Sequence, residues 1–308
     1  FQKALPMEWI EQALDETNKA SMRRRKLPAE LVVWLVVGLG LYRNRPISEV
    51  VSKLDLTLTN KLGESVAPSA VPQARERLTA KPLEALFNLT SEHRCPREDD
   101  EDRWNGLQLF SIDGTPLRCA DGKETSEHFR HTSNQNKKSV YPIARLCALM
   151  SLRSRMIRDV RFGPCSSGEI TYARQLKDSV PSDSLTIFDN CYISAKLMTD
   201  WQQKDKNIHW MTAIKSNTKD KVLEKYDDND FLVEMTVSRD AKKQPSDLPK
   251  TWQARLTTYG ERKESNHIIG VNSSLTDTNK YSAKDILAVY FERLGNRKWL
   301  WRNQAIST

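Results

Sequence analysis

The pattern of apolar and polar positions divides the chain into a helical first third and a mixed remainder. Trp9, Ile10, Ala13 and Leu14 recur at helical spacing behind Pro6. The run Leu31–Tyr42 is apolar almost throughout and is too short to span a bilayer, so it predicts a buried helix over 28–42, with Pro28 in its first turn. Ile47, Val50, Val51 and Leu54 predict a third helix, and Ser69–Leu78 a fourth that exposes Gln73, Arg75 and Arg77.

From about residue 106 short apolar runs alternate with helical stretches. Leu107–Asp113, Tyr141–Met150, Met156–Phe162, Leu185–Asp189 and Ile208–Ile214 predict strands, whereas Glu169–Leu176 and Ile193–Gln203 predict helices. Strands that lead into helices argue for an α/β layer architecture. Between about 216 and 278 the period becomes two: Phe231, Val233, Met235 and Val237 alternate with their neighbours, as do Trp252, Ala254 and Leu256. This predicts a β-rich insertion. Ser282-Ala-Lys-Asp285 then predicts a capping box that opens a last helix carrying Ile286, Val289, Tyr290 and Arg293. The expected organisation is a helical domain over 1–94, an acidic linker over 95–105 containing Glu98-Asp-Asp-Glu-Asp102, and a mixed domain over 106–308 with its insertion.

Composition narrows the function. With 308 residues, 38% hydrophobic and 29% charged, the chain reads as globular rather than disordered. A net charge of +8 favours a polyanionic partner, nucleic acid ahead of an acidic membrane. Five cysteines, none in a C-x-x-C spacing, argue against a disulfide framework or a zinc site and for a reducing cytosol, with the thiols as small core residues. No signal-peptide pattern is read at the start, which is Phe1 rather than a methionine. His128 and His131 have no other His or Cys near them in sequence and read as solvated loop histidines.

Two strands are expected to end on aspartates: Asp113, followed by Gly114-Thr115, and Asp189, followed by Asn190-Cys191-Tyr192. Carboxylates on neighbouring strand ends make a site for a hard divalent cation, the arrangement many enzymes use on phosphodiesters. An aspartate before glycine is also a common turn residue, and Asp189-Asn190 could close a strand by a turn. The basic helix 69–78 reads either as a DNA-reading helix or as an ordinary surface helix. Lys137-Lys138 and Arg23–Lys26 read as DNA-facing charge or as plain surface clusters.

Taken in order, these pieces resemble the DDE transposases of bacterial insertion sequences, of the insertion-sequence-four type. The resemblance is carried by Leu27–Trp34, Tyr42–Pro46, Gln73-Ala-Arg75, Ile112-Asp-Gly-Thr115, Lys215-Ser-Asn217 and the 286–293 helix. It implies an α+β or α/β fold with an RNase-H-like core, and cut-and-paste DNA movement with two Mg2+ (or Mn2+) ions. It also implies homo-oligomers acting on paired element ends in a bacterial, nucleoid-associated setting. Asp113 and Asp189 match the first and second metal ligands. Tyr290 and Arg293 match the start of the family's Y-x2-R-x3-E-x6-K signature and, with Lys215, Arg75, Lys137 and Lys138, are expected on DNA.

The chain departs from the signature at its end. Arg297 stands where the third carboxylate is required, and Gln304 where the lysine is. A one-base deletion after the Arg293 codon can be written, within the genetic code, that turns the tail into W-E-I-E-N-G-Y-G-E-I-K-Q-S-A. That string restores both letters and a helical period. The expectation is therefore a frameshifted, truncated transposase lacking the C-terminal part of the core. Such a chain would bind DNA weakly without cutting it.

Overall fold

The computed structural model describes residues 5–21, 27–53, 69–95, 103–131, 133–134, 137–214, 220–237, 249–262 and 267–293. These fall into two compact units, divided between Cys95 and Arg103.

The described residues of the first unit hold five helices: α1 (Met7–Glu16), α2 (Ala29–Leu41), α3 (Ile47–Lys53), α4 (Ala70–Leu78) and α5 (Lys81–Arg94). Ile10, Ala13 and Leu14 of α1 pack with Val32, Val33, Trp34 and Leu35 of α2, Val50 of α3, Ala74 and Leu78 of α4, and Leu86 of α5. Pro28 is the residue just before α2 rather than inside its first turn. There its extended backbone sets the entry to the helix, and its carbonyl accepts from the Val32 N–H. The face of α4 with Val71, Ala74 and Leu78 is buried, which leaves Gln73, Arg75 and Arg77 exposed as the spacing predicts. Leu54 and the Arg23–Lys26 run lie outside the described residues.

The second unit is one nine-stranded sheet with helices on it. In chain order come β1 (Gln108–Arg118), α6 (Lys123–Phe129), the two-residue pair β2 (Ser133–Asn134) and β3 (Lys137–Lys138), β4 (Ile143–Ser151), β5 (Ile157–Pro164) and α7 (Glu169–Gln175). Then follow β6 (Ser184–Phe188), α8 (Ala195–Trp201), β7 (Ile208–Ala213), β8 (Asp220–Asp227), β9 (Asp230–Thr236), β10 (Thr251–Arg262), β11 (His267–Ser273) and α9, residues 283–293. The strand order is β5-β4-β1-β6-β7-β11-β10-β9-β8. β1, β6 and β7 are parallel and every other pairing in this sheet is antiparallel.

The central strands are buried on both faces, so β6 reads as an unbroken apolar run instead of an alternation. On one face Phe110, Ile112, Phe188 and Trp210 meet Ala173 of α7 and Leu197, Met198 and Trp201 of α8. On the other, Leu109, Leu185, Ile187 and Met211 meet Ile286, Val289 and Tyr290 of α9.

The β-rich segment is a continuation of the same sheet. β11 pairs with β7, Val271 opposite Ala213, and Val233, Met235, Ala254 and Leu256 enter the cluster built on Trp201 and Trp210. Backbones run close there: a Cβ at Gly270 would lie 2.8 Å from the Thr257 carbonyl oxygen.

Two expectations are corrected. His131 is not simply solvated: its ring nitrogens lie 2.8 Å from the Ser139 carbonyl and 3.3 Å from the Ser126 hydroxyl. The cysteines are not uniformly core residues either. Cys95 and Cys147 are buried, Cys119 and Cys165 partly so, and Cys191 is exposed.

Candidate metal and phosphate site

β1 does not stop at Asp113. It continues to Arg118, because β4 still pairs with it after β6 has ended: Arg118 sits opposite Ile143. What ends near Asp113 is the parallel pairing with β6, whose last registered pair is Ser111 opposite Ile187. Asp113 and Asp189 each follow that last pair by two residues. Paired strands lie about 4.8 Å apart, so both aspartates belong to the same end of the parallel core.

Both aspartates are partly buried and bond to the backbone N–H of the residue that follows. Asp113 is half-buried, and its Oδ1 accepts from the Gly114 N–H at 2.9 Å. Asp189 begins a 3-10 turn, Asn190–Tyr192, and its Oδ1 accepts from the Asn190 N–H at 2.5 Å. Thr212 of β7 donates to the Asp189 carbonyl at 3.1 Å, which fixes the backbone there.

Arg293 comes to this pair from α9. It is 3% exposed, and its Nη2 lies 3.9 Å from Asp189 Oδ2, beyond hydrogen-bond reach. That nitrogen finds no hydrogen-bond partner among the described residues. A buried guanidinium nitrogen left in this condition is unfavourable unless a ligand completes it. α9 is set by its cap: Ser282 Oγ accepts from the Asp285 N–H at 3.1 Å and donates to Asp285 Oδ2 at 2.6 Å.

The other expected site residues scatter. Tyr290 is 6% exposed and packs beneath the sheet, and burial pushes its hydroxyl pKa up. Arg75 is exposed on α4 of the first unit. Lys137 and Lys138 form β3, but their side chains lie outside the described residues, as do Lys215 and Arg297.

Four neighbours carry no role from sequence reasoning: Glu169, Arg145, Cys191 and Tyr192. Glu169 opens α7 so close to Gly114 that a Cβ there would lie 2.9 Å from its Cδ. Its carboxylate is 3.9 Å from Arg145 Nε and accepts from the Cys191 thiol at 3.8 Å. Burial first, then the negative charges of Glu169 and Asp113, push the Cys147 thiol up to about 12. The same influences hold Cys191 at about 11. Among the described residues, no three His, Cys, Asp or Glu side chains stand close enough to share an ion as they lie. No helix among them is long and apolar enough to cross a membrane.

An edge with two carboxylates and a buried arginine is suited to phosphate chemistry assisted by a divalent ion, and comparison with known proteins specifies the class. The Transposase DDE domain family matches residues 104–295, and the Insertion element 4 transposase N-terminal family matches residues 1–88. The chain is 36% identical over 226 residues to the putative transposase InsZ of Escherichia coli (strain K12), covering 73% of this chain and 74% of that protein. It is 29% identical over 291 residues to transposase InsG for insertion sequence element IS4 of the same organism, covering 94% of this chain and 64% of that one. The chain thus spans a little under two thirds of InsG. A solved piggyBac transposase synaptic complex with hairpin DNA superposes with a TM-score of 0.43 at 12% identity over 97% of this chain and 64% of that one, too loosely to carry weight.

The chain belongs to the insertion-sequence-four family of DDE transposases. That family's reaction is DNA cleavage and strand transfer with divalent metal ions.

Proposed function

We propose that this chain is an insertion-sequence transposase by descent that still binds DNA but does not cleave it. The observation that supports the reading is the parallel β1–β6 pairing, which ends two residues before both Asp113 and Asp189, with Arg293 facing Asp189. The sheet order β5-β4-β1-β6-β7, with β4 antiparallel to the parallel trio, supports an RNase-H-like core.

Two carboxylates on a rigid edge suit one Mg2+ or Mn2+, which keeps waters and takes its remaining ligands from phosphate. When bound, such an ion polarises a phosphodiester and lowers the pKa of its water. Asp113 and Asp189 would hold it, and the Arg293 nitrogen without a partner would take a phosphate oxygen. Exposed Arg75 and Arg77 on α4, with Lys137, Lys138 and Lys215, would supply contacts independent of base sequence. In an intact relative, paired copies and a second ion at the same edge are expected.

Inactivity follows from the tail. Arginine stands at 297 in place of the signature carboxylate, so the third acidic ligand is missing from that position. The family match ends at 295, before that position, which supports a frameshift after Arg293. A coding sequence in which no one-base deletion there restores W-E-I-E would remove the frameshift.

Filter binding with a 40-base-pair duplex tests the DNA reading. Affinity should fall steeply with salt, with a log-log slope of roughly −0.9 per phosphate contacted. No binding at 50 mM salt would refute it.

A further inference from the structure

We propose that His209 is an acid-sensitive latch. Its neutral ring holds the connection between β11 and α9, residues 274–282, against β7, and protonation lets that connection open.

The hydrogen bonds fix which ring nitrogen carries the proton. Asn207, in the turn before β7, donates from Nδ2 to Asp183 Oδ1 at 2.8 Å, which leaves its Oδ1 facing His209 Nε2 at 2.9 Å. An amide oxygen only accepts, so Nε2 carries the hydrogen and Nδ1 is the acceptor. The donor to Nδ1 is the Ser274 hydroxyl at 3.2 Å. The same hydroxyl oxygen accepts the Trp210 N–H at 3.0 Å, and the Ser274 N–H donates to the Trp210 carbonyl at 3.1 Å. Further along the connection, Tyr281 is 3% exposed. It meets the imidazole with ring centres 6.1 Å apart and stacks on Trp104 at 5.3 Å.

A proton on Nδ1 removes the acceptor of the Ser274 hydroxyl. The alternative acceptor is the Trp210 carbonyl at 3.5 Å, longer than an ordinary O–H···O bond. Charge adds to the cost. Lys280 bears on the ring, with its ammonium 5.1 Å from the Tyr281 ring centre. The nearby acids are engaged elsewhere: Asp183 accepts from Asn207, and Asp277 accepts from the Asn279 and Lys280 N–H groups. Lys204, Asp205 and Lys206 lie exposed on the turn before β7. Burial first, then Lys280, hold the imidazole pKa below its ordinary 6.5 and outweigh the Ser274 backbone, which favours the proton.

The closed connection therefore holds this proton less tightly than the opened one. The latch is at full strength above pH 6.5 and weakens as pH falls below it. Opening is partial, because Arg255 Nη1 donates to the Leu275 and Tyr281 carbonyls at any of these pH values. The connection leads into the helix that carries Arg293, so acid loosens the entry to α9 first.

The test is hydrogen-exchange mass spectrometry on the whole chain at pH 7.5 and 5.5, with the intrinsic pH dependence of exchange divided out. Protection over residues 274–286 should fall several-fold at pH 5.5, with a ceiling of about tenfold one unit below the ordinary pKa. Protection over β9 should hold. In His209→Gln, whose side chain is neutral at both pH values, the fall should vanish. An equal fall in His209→Gln, an equal fall over β9, or no fall in the wild type overturns the latch. If His209→Gln does not fold, Lys280→Met at an exposed position decides instead. The fall must then shrink, and an unchanged fall overturns the latch.

Discussion

Two buried arginine–aspartate pairs in the same unit have opposite surroundings. Arg255 of β10 is 1% exposed and donates to Asp230 through Nε at 2.8 Å and Nη2 at 2.5 Å, and through Nη1 to the carbonyls of Leu275 and Tyr281. Arg293 is nearly as buried, yet it only faces Asp189 at 3.9 Å and leaves Nη2 without a bond. Complete satisfaction marks a structural pair, because every desolvated donor is answered within the fold. Incomplete satisfaction at the same depth leaves Arg293 Nη2 as a donor that the described residues do not answer. The first pair ties β9 and β10 to the segment leading into α9, and the second lies between α9 and the end of β6.

The sharpest way to break this contrast is to remove each arginine. Arg255→Met should destabilise by about 3–5 kcal/mol in urea unfolding, because it strands Asp230 in the interior. A loss below about 1 kcal/mol, the range of an exposed pair, would show that the pair is not structural.

The core beside the acidic edge should respond to pH. The Cys147 thiol has an ordinary pKa of 9.0 and is pushed up to about 12 by burial and nearby carboxylates. The folded state therefore holds this proton more tightly than the unfolded chain. Stability is intact below pH 9 and is lost as pH rises toward 12, by an amount on the order of 4 kcal/mol. Cys147→Ser should flatten that part of a stability–pH curve.

Gly270→Ala tests how tightly the inserted strands join the core half. Its Cβ would press on the Thr257 carbonyl at 2.8 Å, a backbone atom that cannot turn aside. A loss of about 1–3 kcal/mol is expected. Ser282→Ala removes the cap that starts α9 and should cost about 1 kcal/mol.

The smallest effect on stability sharpens the contrast most. Arg293→Met should change unfolding free energy by less than about 1 kcal/mol, since it deletes a donor already unsatisfied. In a gel shift the same variant should weaken DNA binding several-fold. Destabilisation like that of Arg255→Met would contradict the distinction.

Much of this architecture is legible from side-chain period alone. β6 and β7 show as apolar runs, the buried α2 as a longer one, and Ser282–Asp285 as a cap, because each depends on neighbours in sequence. Asp113 and Asp189 are legible as edge residues for the same reason. The length of β1 is not: Thr115–Arg118 has no strand pattern, and only the distant β4 keeps it extended. The insertion reads as β-rich, but its fusion with the core sheet rests on Val271 meeting Ala213, far apart in sequence. Arg255 sits between Ala254 and Leu256 like any outward residue of an alternating strand, yet Asp230 and the carbonyls of Leu275 and Tyr281 receive it in the interior. Glu169 looks like an ordinary acid in a first helical turn. Its closeness to Gly114 and Cys191 arises from the crossover between β5 and β6, which no local pattern encodes.

On the proposed reading, an acidic edge inherited from a transposase holds DNA and no longer cuts it. That reading is tested most directly by incubating this 308-residue chain with end-labelled duplex from the terminus of its own element, in Mg2+. The expected result is a shifted complex with every strand intact. A cleaved strand bearing a free 3′ hydroxyl at the element end, abolished by Asp113→Asn, would contradict it.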